Sequence, residues 1–166
     1  MDRRTLLMGM GALALSGWIV PALADEPILT LRGKFARAGA DGSATLSLAD
    51  LDALPQTRFR TTTPWHSGAV EFSGVSVSDF LAAMGVPASE SSMQLIALND
   101  YVVETKAAEL VSGDALLATR MNGEPMSVQD KGPIFVVFPF DSRSALQHQS
   151  YYSRAVWQLA EIDLAP

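Results

Sequence analysis

Three short stretches hold the side chains best suited to gripping a small molecule. They are Trp65-His66, Asn99-Asp100-Tyr101, and Tyr151-Tyr152-Ser153-Arg154 with Trp157. Aromatic faces, a carboxylate acceptor and a guanidinium fork together suit a flat heterocycle with donor and acceptor edges. A pterin is such a ligand: its 2-amino and ring N–H pair can donate to a carboxylate, its carbonyl accept from an arginine, and its ring stack on a tryptophan. Each residue also has a structural reading. Trp65, Tyr151 and Trp157 can serve as core aromatics, Asp100 as a turn-former, Arg154 as half of an ion pair, and His66 as a surface or hydrogen-bonded histidine.

Other chemistries are poorly served. The 166 residues include no cysteine, so disulfides, thiolate metal sites and cysteine nucleophiles are excluded. The two histidines, His66 and His148, are far apart in the chain, which argues against an imidazole metal centre. No G-x-S-x-G, phosphate loop or H-E-x-x-H occurs. With 18 Asp+Glu against 12 Lys+Arg and a net charge of −6, no nucleic-acid partner is expected.

The elements that must carry these residues read as strands alternating with short helices. Strands are expected over Ile28–Leu31, Gln56–Thr63, Val70–Val75 and Met93–Leu98, and then at Tyr101-Val102-Val103. Ser47 caps a helix over Leu48–Ala53, with Asp50 as capping-box partner and Pro55 as the stop. The clearest helix places Val77, Phe80, Leu81 and Met84 on one face, capped by Ser76 or Ser78 and closed by Gly85. Thr105 caps a further turn of helix ending near Gly113. Asn122-Gly123 supplies the positive φ of a type I′ hairpin after Ala115–Met121, and Pro125 keeps the second arm at an edge. Pro133–Phe138 reads as a buried strand, Ser144–Gln149 as a helical turn, and Ala155–Leu164 as a closing strand. The fold class is α+β: a single domain with short helices on a mixed, mostly antiparallel sheet.

Residues 1–24 read as an address. Arg3 and Arg4 precede an apolar run from Leu6 to Val20, and Ala22-Leu23-Ala24 is a small-residue cleavage box. The mature domain is then residues 25–166, exported to the periplasm. Arg3-Arg4-Thr5-Leu6-Leu7 resembles a twin-arginine signal. The competing reading is an uncleaved anchor, since Thr5–Ala24 is long enough to span a bilayer.

Several pieces in order resemble the sulfite-oxidase fold, the oxidoreductase molybdopterin-binding domain. They are Arg60-Thr61-Thr62-Thr63-Pro64-Trp65, Val70–Val75 leading into Val77–Met84, Asn99-Asp100-Tyr101, Asn122–Met126, Lys131-Gly132-Pro133-Ile134 and Tyr151–Trp157. Enzymes of this fold hold molybdenum through a cysteine in the strand before a tryptophan. Placing Trp65 at that tryptophan puts Thr61 where the thiolate would be, and an alcohol is a poor substitute for it. The chain is most similar to small, secreted, cysteine-less members of the fold, the PruR-like pterin-binding regulators.

That resemblance implies a cofactor-binding set of Thr61, Thr63, Trp65, Asp100, Tyr101, Tyr152 and Arg154, with no metal and no catalytic residue. Trp65 would stack on the pterin, Asp100 accept from its amino edge, and Arg154 donate to its carbonyl or side chain. It further implies a periplasmic sensor, holding a pterin (reduced pterins included) and passing that state to the periplasmic domain of a membrane-bound enzyme of cyclic-di-GMP metabolism. The alternatives are a molybdopterin-dependent oxidoreductase with non-cysteine ligation and a pterin-free interaction module.

Overall fold

The structure, a computed structural model, describes residues 26–89 and 91–165, so the expected leader lies outside the described residues. Strands β1 (Pro27–Arg32), β2 (Ser43–Ser47), β5 (Ser92–Ala97), β6 (Val102–Lys106) and β10 (Leu159–Leu164) make one sheet in the order β2-β1-β10-β5-β6. All its pairings are antiparallel except β1 with β10. Strands β3 (Gln56–Thr61), β4 (Val70–Ser76), β7 (Leu116–Met121), β8 (Glu124–Pro125) and β9 (Phe135–Val137) make a second, antiparallel sheet. The α+β class and the mixed pairing stand, but in two sheets rather than one.

Local chemistry accounts for most of the boundaries. Helix α1 (Leu48–Asp52) starts at a reciprocal Ser47–Asp50 capping box. Helix α2 (Val77–Met84) is capped by Ser76, whose Oγ accepts the Asp79 N–H at 3.0 Å, and it stops at left-handed Gly85. Asn122 and Gly123 both take positive φ, 51° and 86°, and β8 is an edge, as the hairpin chemistry requires. Gly74 sits at a register shift between β4 and β7, where a Cβ would collide with the Leu117 carbonyl.

Four expectations need correction. Strand β2 is an addition to the expected elements: Ser43–Ser47 is short, with only Ala44 and Leu46 apolar, and it forms by pairing with β1 across a turn tied by Gly33 N–H to Gly42 O at 2.9 Å. Thr105 belongs to β6, and the extended Lys106 is the N-cap of α3 (Ala107–Ser112), with Glu109 reaching back to its N–H. The single expected turn splits into a 3-10 turn at Ser144–Leu146 and α4 (Gln149–Tyr152), capped by His148. The closing strand begins only at Leu159, because Gln158 has a left-handed φ of 54°.

The core is aromatic on the second sheet's side. Phe72, Phe80, Phe135, Phe138 and Phe140 are fully enclosed, and Ile134–Phe138 is buried throughout, as its continuous apolar run demands. Trp65 packs against this block from a loop, and the loops beyond it form the candidate site.

Candidate functional site

Four segments converge on one cavity of about 270 Å³. The loop after β3 contributes Trp65, and the β5–β6 turn contributes Asn99 and Tyr101. The end of α4 contributes Tyr152 and Ser153. The bend before β10 contributes Trp157 and Gln158. Each segment is pinned by its own backbone bonds. Ala97 N–H donates to Tyr101 O at 2.9 Å, Leu98 N–H to Gln158 O at 2.9 Å, and Gln158 N–H to Lys131 O at 2.9 Å. The β5–β6 turn and the bend before β10 are thereby tied together at one end of the first sheet, and Trp65 and Tyr152 face them from the loop after β3 and from α4.

The aromatic lining has a centre. The Trp65 indole meets Trp157 edge-on at 5.5 Å and 84°, and Tyr152 at 6.1 Å and 87°. Its other neighbours are Phe135 and Phe140. Trp65 is thereby held by edge contacts on several sides, whereas Trp157 is 39 % exposed and Tyr101 51 % exposed. The polar lining consists chiefly of two amides. Asn99 accepts the Tyr101 N–H through Oδ1 at 3.2 Å, which leaves its amino group unengaged by the described residues. Gln158 donates through Nε2 to Val128 O at 2.8 Å, which leaves its Oε1 unengaged in the same sense. One donor and one acceptor thus stand beside stacking faces, the pattern that a heterocycle edge requires.

Of the residues expected to bind the ligand, Trp65, Tyr101 and Tyr152 line this cavity. Asp100 is exposed on the turn between two lining residues; its φ is 63° and its N–H donates to Ala97 O at 3.0 Å. The Arg154 guanidinium turns to Glu109 at 2.9 Å and to the Ser150 carbonyl at 3.0 Å. Thr63 is buried beneath the Trp65 loop, its hydroxyl accepting the Trp65 N–H at 3.2 Å and meeting His66 Nδ1 at 2.7 Å. Asn99 and Trp157 lie within motifs already singled out. Gln158 had no sequence signal, because it faces the cavity through a backbone conformation that is unusual for its type.

Two titratable groups flank the site. Burial, with a smaller contribution from the nearby Lys131 ammonium, holds the His66 imidazole below its ordinary value. Asp141 accepts from both the Thr62 hydroxyl and its N–H, each at 2.6 Å, and these bonds hold its carboxyl below the usual range.

Residues 38–141 match the family described as the oxidoreductase molybdopterin binding domain. The chain belongs to that family. Among solved structures, it is similar to the sulfane dehydrogenase SoxCD from Paracoccus pantotrophus, at 16 % identity and a TM-score of 0.59, covering 82 % of this chain and 37 % of that one. This likeness shows a sulfite-oxidase-like fold; the chain spans little more than a third of that protein's length. No curated protein matches the chain.

The family implies a molybdopterin, an organic pterin that carries molybdenum in the complete cofactor, and the residues here suit the pterin and the metal differently. The ring finds aromatic faces and amide groups around the cavity. The metal finds no thiolate, since the chain lacks cysteine. Thr61, where the resemblance puts that ligand, is fully buried. Its Oγ1 accepts the Asp141 N–H at 3.1 Å and donates to Thr62 O at 3.2 Å. Among the described residues no group of three or more His, Asp or Glu side chains is placed to hold a metal. This donor set fits a pterin ring and does not fit a protein-ligated molybdenum.

Proposed function

We propose that this chain is a periplasmic, pterin-binding regulatory protein that works without a catalytic metal, of the PruR-like kind. Its ligand is a pterin, reduced pterins included. Its liganded form acts on the periplasmic domain of a membrane-bound cyclic-di-GMP cyclase or phosphodiesterase. The observation that carries this reading is the composition of the cavity, which offers aromatic faces and two half-engaged side-chain amides but no acidic or basic lining residue. A flat, uncharged ring with hydrogen-bonding edges matches those walls. The doubly bonded Thr61 hydroxyl supports the absence of a metal step.

The protein-partner half of the proposal draws on the cavity's surroundings. Leu98, Tyr101, Val102, Val128 and Trp157 are the exposed large apolar side chains among the described residues. All lie on segments that line the cavity or hold its lining in place, and a small ligand leaves such a rim for a protein to cover. Signalling then requires the partner to bind the liganded and empty forms unequally. Export rests on the Arg3-Arg4 pair, the apolar run and Ala22-Leu23-Ala24, with a mature chain beginning at Asp25.

Mass spectrometry of the small molecule that co-purifies with the protein from its native compartment, alongside metal analysis, tests the reading. A pterin without molybdenum is the expected result. Stoichiometric molybdenum with substrate turnover would replace it by a molybdopterin-dependent oxidoreductase with non-cysteine ligation.

A further inference from the structure

Strand β3 forms one margin of the second sheet, whose order runs β3-β4-β7-β8. Among the described residues β4 is its only strand partner, so alternate main-chain N–H and C=O groups along its far side are open. Gln56, Thr57, Arg58 and Arg60 are exposed and Phe59 is half-buried. The cover begins only past the strand, where the Thr62 N–H and hydroxyl bond to Asp141. No residue of β3 lines the aromatic cavity.

The two faces of this edge differ. Register sets Arg58 opposite Ser73 and Ser73 opposite Arg120, so both arginines stand on one face, and Arg60 follows two residues along. That face opens into a cavity of about 500 Å³ whose lining includes Arg58, Ser73, Glu71 and Arg120. Arg120 is held by Asp52, but neither Arg58 nor Arg60 belongs to an ion pair among the described residues. This occurs in a chain where acidic residues outnumber basic ones by 18 to 12. Glu71, across from Arg60, sets one carboxylate against two uncommitted cations. The opposite face carries Thr57 and Phe59 and opens into a second cavity of about 330 Å³, walled partly by Phe59, Val111 and Ala115. Its one carboxylate, Asp114, is bonded to Arg143.

Strand addition uses this kind of arrangement: open main-chain groups supply affinity, and pockets on alternate faces supply specificity. We propose that β3 is a docking edge for an extended segment of a partner protein in which acidic residues alternate with small apolar ones. The acids meet Arg58 and Arg60 on one face, and the apolar side chains enter the cavity beside Phe59 on the other. A second copy of this chain is a poor occupant, because β3 paired with itself sets arginines against arginines. The same charges that repel a copy attract an acidic strand. This contact goes beyond the pterin reading and does not depend on it.

Fluorescence anisotropy of the purified protein with a labelled, end-blocked Thr-Glu-Val-Glu-Val-Glu-Thr peptide tests the proposal. The acidic peptide should bind about tenfold more tightly than its Lys-for-Glu counterpart, the worth of two exposed ion pairs exchanged for two repulsions. Joint Arg58→Glu and Arg60→Glu substitution should reverse that preference, a gain that a misfolded variant could not show. N-methylation of the three Glu residues and N-methylation of the two Val residues block opposite edges of the peptide, so one of these peptides should fail and the other should bind. No binding at millimolar peptide, equal binding of the Glu and Lys peptides, or equal binding of the two N-methylated peptides overturns the docking edge. So does a dimer in sedimentation that the double substitution dissociates, which would make a second copy the occupant. Flotation with phosphatidylglycerol vesicles that the double substitution abolishes would make this a membrane face and overturns it as well.

Discussion

The indoles of Trp65 and Trp157 stand edge to face, 5.5 Å apart, yet only one of them is free to meet a ligand broadly. Trp65 is hemmed in by Phe135, Phe140 and Tyr152 as well, while Trp157 keeps 39 % of its surface exposed. The two substitutions should therefore separate. Trp65→Ala should destabilise the fold by about 3 kcal/mol, as emptying a packed aromatic position does. Trp157→Ala should change stability by less than about 1 kcal/mol. It should weaken pterin binding by about 1–3 kcal/mol, the worth of one stacking face for a nucleobase-like ring. Thermal unfolding and fluorescence titration on both variants check this.

Arg154 and Glu109 tie α4 to α3, so their effect should be on stability rather than on the ligand. Arg154→Ala should lower stability by about 1 kcal/mol through the lost pair and the lost bond to Ser150 O. A double-mutant cycle with Glu109→Ala should give a coupling of about 0.5 kcal/mol, since the Glu109 side chain is 44 % exposed. Pterin affinity should be unchanged. A large affinity loss in Arg154→Ala would show that the guanidinium leaves Glu109 for the ligand.

Thr61→Val keeps the shape of the side chain and removes the only acceptor the described residues give the Asp141 N–H. Leaving that donor unpaired should cost about 1–3 kcal/mol in urea unfolding, whereas Thr61→Ser should restore most of it. Both variants should still bind a pterin, because Thr61 does not line the cavity.

Acid should weaken the fold in two stages. The folded-state value of His66 lies below its ordinary 6.5, so the unfolded chain takes up a proton first and stability falls as pH drops below 6.5. Asp141 is likewise held below its ordinary 3.8 by Thr62, so its contribution is present above that value and is lost as pH falls through the lower, folded one. His66→Gln should remove the upper stage and Asp141→Asn should diminish the lower. Urea midpoints measured from pH 8 to pH 3 would show both.

What could be read from the sequence was whatever depends on neighbouring residues. The Ser47–Asp50 box, the Ser76 cap, left-handed Gly85 and the Asn122-Gly123 turn are all local chemistry, and each was visible in a few letters. The strand β2 was not, because its stability comes from its partner β1. The site follows the same division. Trp65, Tyr101 and Tyr152 stood out by type, and they line the cavity. Arg154 stood out equally, but its geometry depends on Glu109, 45 positions away, which no local pattern reports. Gln158 lines the cavity through a φ of 54°, and backbone conformations of that kind leave no periodic trace in a sequence.

The order of the first sheet has one more consequence. Strand β10 is inserted between β1 and β5, so the β1–β2 hairpin and the β5–β6 hairpin have no bond to each other until residues 159–164 arrive. A nascent chain therefore carries an open slot between the two hairpins while everything from β2 to residue 158 is being made, and the sheet closes only once β10 has been added. Loss of those six residues would leave two orphan hairpins with bare edges, substrates for proteolysis rather than a shortened domain.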